Sequence, residues 1–354
     1  MLAVCAARRT RLRSNVMLHA NNFFWQGGVP MFMYDMISAY PEFHHVVVYL
    51  YDQAHFGGEN FQMMDEWRLT HGCEIAKVEM LTPGLLKEIN PAIVCLNSIE
   101  GKKVLGPPYN WLEEWPVIFF HHAVTNPIFP SGADVFVSKF VKDKFARFLG
   151  VMRNVVLCPP VINTAPYSAI PREMHTDCVI GKVCSAWNSK KYPKQLYDVM
   201  REIGKEYGST SFQVVGGGRH NSLRELRVPR LSFIKEMSMP VPDMLAGMDV
   251  MLYINDPSMP ETWCRTVSEA MASGIPCVVE NRGGPAEQIE DDEDGYVCDS
   301  TEDFVAKLSK LVRFPRKRHE MGMRAREKAI KLFGYERLRR ELDPFIVKGL
   351  MGVL

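Results

Sequence analysis

The feature that most constrains this chain is an alternation, run twice, of short apolar segments with helix-period segments. In the first run Asn15–Ala20 (NVMLHA) reads as a strand, followed by a glycine-bearing loop and a helix at 29–40 (VPMFMYDMISAY). His45–Tyr51, Ala92–Leu96, Val117–Phe120, Val135–Ser138 and Asn154–Cys158 read as further strands. Four prolines then fall within Pro159–Pro171, a stretch without periodicity that suits a hinge linker. The second run follows: CVIGKVCS, a helix over Lys194–Tyr207, SFQVV, a glycine triplet, RLSFI, a helix over Val241–Gly247, DVMLYI, a helix over Thr266–Ser273 closed by Gly274, and PCVVE. Strands alternating with helices imply βαβ units and parallel sheets. At 354 residues the chain exceeds what one core usually organises. The expected fold class is therefore α/β, with two doubly wound domains flanking a cleft. Ligand residues belong just after the strands, where open sheets bind.

Composition narrows the class. With 47% hydrophobic and 23% charged residues the chain packs a core and is not disordered. No apolar run approaches the ~20 residues that span a bilayer. In MLAVCAARRTRLRSNV the basic residues follow the apolar stretch, the reverse of a secretory signal. Nine cysteines show no CxxC pair and no ligand spacing, so reduced core thiols in a cytoplasmic protein are expected. The methionines of Met31–Met36 read as core packing. A net charge of +1 conceals a basic run: residues 311–341 hold 11 Lys/Arg against 4 Glu. Such a run suits an anionic partner or a solvated helix face. Asp292-Glu293-Asp294 reads as a solvated turn rather than a metal motif.

The most informative stretch is Pro260–Pro276, PETWCRTVSEAMASGIP. Glu261 stands in the loop after DVMLYI, and Glu269 follows on the helix with seven residues between them. The helix start favours a phosphate-bearing ligand near residues 262–266. A carboxylate there can accept from vicinal sugar hydroxyls. The same spacing also fits a satisfied helix-face carboxylate and a capping group.

PETWCRTVSEAMASGIPCVVENRGGPAEQI closely resembles the E-x7-E region of retaining, nucleotide-sugar-dependent glycosyltransferases of the GT-B fold, family 4-like. Pro260, Glu261, Trp263, Glu269, Ala270, Met271, Ala272, Gly274, Pro276, Gly283, Gly284 and Glu287 carry the likeness. WQGGVPMF, FFHHAVTN, GADVFVSKF, VVLCPPVIN, GKVCSAWNSKKYP and FQVVGGGRH extend it more loosely over roughly residues 14–300. The resemblance implies two Rossmann-like domains facing a central cleft. An N-terminal acceptor-side domain would occupy 14–160, a hinge 161–171, a nucleotide-sugar domain 172–330, and a helical segment returning to the first domain 331–354. It implies that Glu269 binds the ribose and Glu261 the transferred sugar. Lys182 and Lys191, or Lys190 in place of Lys191, would neutralise the diphosphate beside backbone N–H groups near Gly27, Gly28 and Thr266. His121 or His122 would face the sugar, Gly216 and Gly218 would form a glycine loop, and Phe233–Met237 would border the base. Trp263, Cys264 and Arg265 complete the donor set.

The sequence departs from the family pattern at Lys182, where Arg is usual and gives a bidentate fork. The spacing to Lys191 is longer than usual, and Trp263-Cys264 replaces Phe-Gly. The implied reaction moves a hexose from a nucleotide-diphosphate sugar, UDP-linked in preference to GDP-linked, to an acceptor hydroxyl with retention. No metal or other cofactor is expected: lysines and a helix start stabilise the leaving diphosphate, and the departing phosphate takes the acceptor's proton. A GT-B epimerase or hydrolase and a non-catalytic GT-B subunit are the alternatives. A dinucleotide-dependent dehydrogenase lacks its glycine motif, because Asn221 and Met31 occupy the third-glycine positions. A glycan or lipid-linked saccharide is the expected acceptor, with modified DNA as a second candidate for the basic run and peripheral contact with the inner membrane face a further expectation. Acceptor choice is expected to lie in Phe23–Gln26, His55–Asn60 and Lys102–Trp111.

Overall fold

The computed structural model describes residues 15–50 except 23, 25 and 26, then 61–97, 109–123, 131–184 except 151 and 153, 188–219 and 226–354. The chain forms two compact units. Unit 1 holds the described parts of Met1–Phe136, Lys144–Cys158 and Arg339–Leu354; unit 2 holds Val137–Asp143 and those of Pro159–Leu338.

In unit 1 the elements are β1 (Val16–Asn21), α1 (Gly28–Ala39), β2 (His44–Tyr49), α2 (Phe61–His71), β3 (Glu74–Lys77), α3 (Pro83–Ile89), β4 (Ile93–Asn97), β5 (Val117–His121), β6 (Ala133–Phe136) and β7 (Val155–Leu157). The seven strands order as β3-β2-β1-β4-β5-β6-β7, with every pair parallel. Strands β4, β5 and β6 are buried at every residue, as expected for strands covered on both faces. One face packs Leu18, Val48, Leu96 and Phe119 with Leu81 and Leu86; the other packs Val47 and Tyr49 with Met33, Ile37 and Trp67. The buried Met33 and Met36 of α1 serve this core.

Helix α4 (Lys139–Lys144) straddles the unit boundary, and α5 (Ala165–Ser168) is a single turn inside the proline-rich stretch. Unit 2 continues with β8 (Val179–Lys182), α6 (Lys194–Glu206), β9 (Ser211–Val215), β10 (Leu231–Ile234), α7 (Val241–Ala246), β11 (Val250–Tyr253), α8 (Arg265–Ala272), β12 (Cys277–Glu280), α9 (Gly284–Gln288), β13 (Gly295–Cys298), α10 (Thr301–Arg313) and α11 (Pro315–Phe333). Its six parallel strands order as β10-β9-β8-β11-β12-β13. Helix α6 buries Leu196, Tyr197, Val199, Met200 and Ile203, the helical spacing that makes it legible, against Ile180, Leu252 and Val278. On the opposite face α8 and α11 set Val267, Met271, Ala325 and Phe333 against Met251 and Val279. Helix α12 (Tyr335–Leu350) ends in unit 1, where Tyr40 donates to Asp343 at 3.0 Å and Arg339 pairs with Glu42 at 2.6 Å.

The structure departs from the sequence pattern at one helix end and by several added elements. Helix α8 closes on Ser273, with Gly274 the residue beyond it at φ +75. Strands β3 and β13 and helices α2, α3, α4, α5 and α9 are additions to the elements the pattern predicts. Strand β3 is a four-residue edge strand with one buried residue, Ile75, so it carries no alternation to read.

The basic run is largely engaged within the protein. Arg318 donates to the carbonyls of Leu311, His175 and Asp177, and Arg326 to those of Ile170 and Ser273. Lys317 pairs with Asp292 at 2.7 Å and Lys328 with Asp294 at 2.6 Å, while Arg324 donates to the Glu293 carbonyl at 2.7 Å. The acidic turn is thus a seat for α11 more than a solvated turn. The eight cysteines of the described residues are buried and unbridged. Among the described residues no helix is long and apolar enough to cross a membrane.

Candidate functional site

In each sheet the strand order reverses once, between β1 and β4 and between β8 and β11. Open α/β sheets bind ligands outside the carboxyl ends of the strands at such points.

In unit 2 that position holds a charged cluster. Lys182 ends β8, Asn255 follows β11, and Glu280 ends β12, so three adjacent strands contribute. Glu261 lies in the loop between β11 and α8. Its Oε2 accepts from Tyr253 Oη at 2.9 Å, Asn255 Nδ2 at 3.3 Å and Lys191 Nζ at 3.3 Å. Burial alone would lower the Lys191 ammonium; the Cys184 thiol and the Glu261 carboxylate outweigh it and raise it. Lys190 is exposed, and its carbonyl accepts from the Asp256 N–H at 2.8 Å. That bond ties the lysine turn to the loop after β11, so of the two lysines it is Lys191 that meets Glu261.

The Glu261 turn is also fixed from behind. Gly284 N–H donates to the Glu261 carbonyl at 2.9 Å. Gly283 has φ +69, and a Cβ on it would lie 2.3 Å from the Glu261 carbonyl oxygen. A Cβ on Gly284 would lie 2.2 Å from the Thr262 carbonyl oxygen. The glycine pair thus permits an approach of two backbones that no other residue allows. Within unit 2, Glu287 accepts from the N–H groups of Lys139 at 2.7 Å and Phe140 at 2.6 Å.

Helix α8 starts directly after this turn. Cys264 is its N-cap and supplies no side-chain cap, leaving the first-turn N–H groups and the positive dipole end at residues 265 and 266. Thr266 Oγ1 lies 3.3 Å from Cys264 Sγ, whose thiol burial pushes up to about 12. Glu269, 4% exposed, accepts from Arg265 Nε at 2.8 Å. Trp263 packs edge-on to Phe333 at 5.7 Å, which makes it a wedge between the motif and α11.

Lys182 is placed differently from its expected role at the diphosphate. It is fully buried, donates to the Ile254 carbonyl at 2.5 Å and Asn255 Oδ1 at 3.1 Å, and lies 4.4 Å from the Tyr253 ring centre. Burial lowers its ammonium to about 8. It lies beneath the cluster and is not on its surface. Gly216 has φ +79 and donates to the Ile234 carbonyl at 2.9 Å; Gly218 lies under Phe233, 3.3 Å from where a Cβ would stand. Met237, at the far end of the expected base-bordering segment, is 67% exposed.

In unit 1 the two histidines separate. His121 is fully buried, its Nε2 2.8 Å from Asp134 Oδ1, with Ser131 donating to the other Asp134 oxygen at 2.7 Å. Its ring stacks on Phe136 at 4.5 Å. These contacts make it a core histidine. His122, just past β5, sets Nε2 3.2 Å from Asn97 Oδ1 at the end of β4 and lies edge-on to Phe32 at 4.7 Å. Burial, and then the neighbouring His121, lower it to about 3, so it is neutral. Gly27 caps α1 and Gly28 opens it; a Cβ on Gly28 would meet no atom within 4 Å. Of the expected acceptor loops, residues 23, 25, 26, 55–60 and 102–108 lie outside the described residues, as do 185–187 of the lysine segment and His220.

Sequence reasoning misses Tyr253, Asn255, Glu280 and Arg282. Arg282 Nη2 binds the Asn255 carbonyl at 3.0 Å and also pairs with Glu280, whose carboxyl burial raises. Their signal is position alone: each ends or follows a strand at or beside the reversal. Among the described residues no group of three His, Cys, Asp or Glu could hold a metal.

The two doubly wound parallel sheets and helical C-terminus define the GT-B fold. It is shared with the Anabaena protein HepE, solved with UDP and glucose: TM-score 0.73, 13% identity, 94% of this chain and 99% of that one. Residues 183–328 match the sequence model of the family described as glycosyl transferases group 1. Among curated proteins, spore coat protein SA of Bacillus subtilis is 33% identical over 23% of this chain. The alpha-1,3/1,6-mannosyltransferase ALG2 of Dictyostelium discoideum is 29% identical over 23% of it. The chain spans about a fifth of the length of these relatives, 22% and 20% respectively.

Proposed function

We propose that the protein is a retaining glycosyltransferase that moves a hexose from a nucleotide-diphosphate sugar, UDP-linked in preference to GDP-linked, to an acceptor hydroxyl. The observation that carries this reading is the joining of Glu261 and Lys191 at the strand-order reversal, directly before the start of α8. A cation and a helix start beside one carboxylate suit a ligand with a diphosphate at one end and hydroxyls at the other. Support comes from the group 1 match across this segment, from HepE having been solved with UDP and glucose, and from a relative named as a mannosyltransferase.

In this reading Lys191 and the α8 start stabilise charge on the departing diphosphate, Glu261 holds a sugar hydroxyl, and Glu269 with Arg265 serves the ribose. The acceptor attacks from the leaving-group side, and the departing phosphate takes its proton. No metal is required. The acceptor is a glycan or lipid-linked saccharide; the basic run is mostly engaged in internal contacts and lends no support to a nucleic-acid acceptor.

The test is turnover of a donor panel, including UDP-glucose and GDP-mannose, by the wild type and by Glu261→Ala, Lys191→Ala and Glu269→Ala, with and without chelator. Expected are losses of roughly 100-fold for Lys191→Ala and no effect of chelator. Wild-type turnover by all three variants ends the reading.

A further inference from the structure

Glu261 is gripped at one oxygen. Its three donors, Tyr253 Oη, Asn255 Nδ2 and Lys191 Nζ, all meet Oε2, and among the described residues Oε1 accepts no bond. An ionised carboxylate has about four acceptor positions. Gathering the protein's donors on one oxygen fixes the rotation of the group and leaves the other for a ligand. Lys191 can also reach a ligand, but Tyr253 and Asn255 are 1% and 0% exposed. Whatever they do, they do through Glu261.

The Asn255 amide is itself oriented. Lys182 Nζ donates to Asn255 Oδ1, which forces the NH2 toward Glu261; the flipped amide would set an ammonium against two donor hydrogens. Lys182 is held in turn by the Ile254 carbonyl and the Tyr253 ring. Tyr253 is raised well above its ordinary value by burial, then by Cys264 and Glu261, so its hydroxyl keeps the proton it donates. A buried cation, an amide and a phenol therefore converge behind one carboxylate.

The geometry points to Tyr253 and Asn255, with Lys182 behind them, as positioning residues that lock Glu261 with Oε1 presented to a hydroxyl of the transferred sugar. This rests on the reading of Glu261 as a sugar contact. It gives the buried Lys182 a role different from contact with the diphosphate.

The test uses the full chain, with UDP-glucose and UDP, and GDP-mannose and GDP, as probes. Tyr253→Phe keeps the ring beside Lys182 and removes only the donor. It should lower kcat for the donor that is turned over by roughly tenfold, leave affinity for the free nucleotide within about twofold of wild type because Glu261 does not serve the nucleotide, and add nothing in a Glu261→Ala background. Asn255→Asp places a second carboxylate beside Glu261 and should shift the acid limb of kcat/KM to higher pH, a change that a packing defect does not produce. The inference is overturned if Glu261→Ala is impaired while Tyr253→Phe keeps wild-type kcat. It is equally overturned if Tyr253→Phe loses the same factor with Glu261 present or absent. Full activity of Glu261→Ala would instead remove the functional reading beneath it.

Discussion

The sharpest perturbation is Gly283→Ala. Gly283 has φ +69 and ψ −156, a region essentially reserved for glycine. Holding alanine there costs about 1–3 kcal/mol. The new methyl would also stand 2.3 Å from the Glu261 carbonyl oxygen, a backbone atom that cannot rotate away. Overpacking of this kind adds about 1–3 kcal/mol. The two contributions place the loss at about 2–6 kcal/mol. Relief must come from moving the Glu261 turn, so sugar transfer should fall together with stability. Gly274→Ala is the graded comparison: φ is +75, but the obstacle at 3.0 Å is the guanidinium of Arg326. That side chain can yield, so the loss should stay near the backbone cost of about 1–2 kcal/mol. Gly208→Ala is the control, with nothing within 4 Å of its Cβ position. Urea unfolding of the three variants, followed by a signal from unit 2, measures the order. If Gly283→Ala unfolds with Gly208→Ala, within about 0.5 kcal/mol, the argument for the glycine pair is wrong.

Three other outcomes are expected. His19 and His122 are lowered mainly by burial, His122 to about 3, so the unfolded chain binds their protons first as pH falls. Their stability contribution is full above about pH 6.5 and is lost below it, at up to about 1.4 kcal/mol per pH unit per histidine; His122→Asn should flatten part of the slope in urea midpoints taken from pH 7.5 to 4.5. Asp294→Ala, which removes the partner of Lys328 and the acceptor of the Glu290 N–H, should cost about 1–3 kcal/mol, whereas Asp292→Ala at an exposed pair should cost under about 1 kcal/mol. Thermal unfolding ranks the two. Lys190→Ala should leave donor turnover within about threefold of wild type, since only Lys191 meets Glu261; a loss equal to that of Lys191→Ala in the same assay would reverse the assignment.

Most strands of both sheets are legible in the sequence because they read as short apolar runs bounded by turn residues. Strands β3 and β13 escape: β3 is an edge strand with one buried residue, and β13 is a four-residue run hard against the acidic turn. Glu261 and Glu269 are legible because their motif fixes them relative to a helix start, whereas the sequence leaves Lys190 and Lys191 open and the structure pairs Lys191 with Glu261. Lys182 is ambiguous in the sequence: a lysine at the end of a buried strand reads alike whether it faces a ligand or lies beneath the site, and in the structure it is buried against Ile254 and Asn255. His121 and His122 are adjacent in sequence, but His121, the last residue of β5, turns to Asp134 and His122, just beyond the strand, to Asn97. Tyr253 looks like core, and it is core; its hydroxyl is what reaches the site.

The last sixteen residues have a practical bearing. Arg339–Leu354 belong to unit 1, where Leu354 covers Gly132 and Gly349 leaves room for Ile93. Recombinant production of this lobe by truncation after Cys158 would strip a wall from its interior and yield an insoluble product. A fragment meant for spectroscopy should graft that terminal piece back, for instance through a permuted gene joining it ahead of β1.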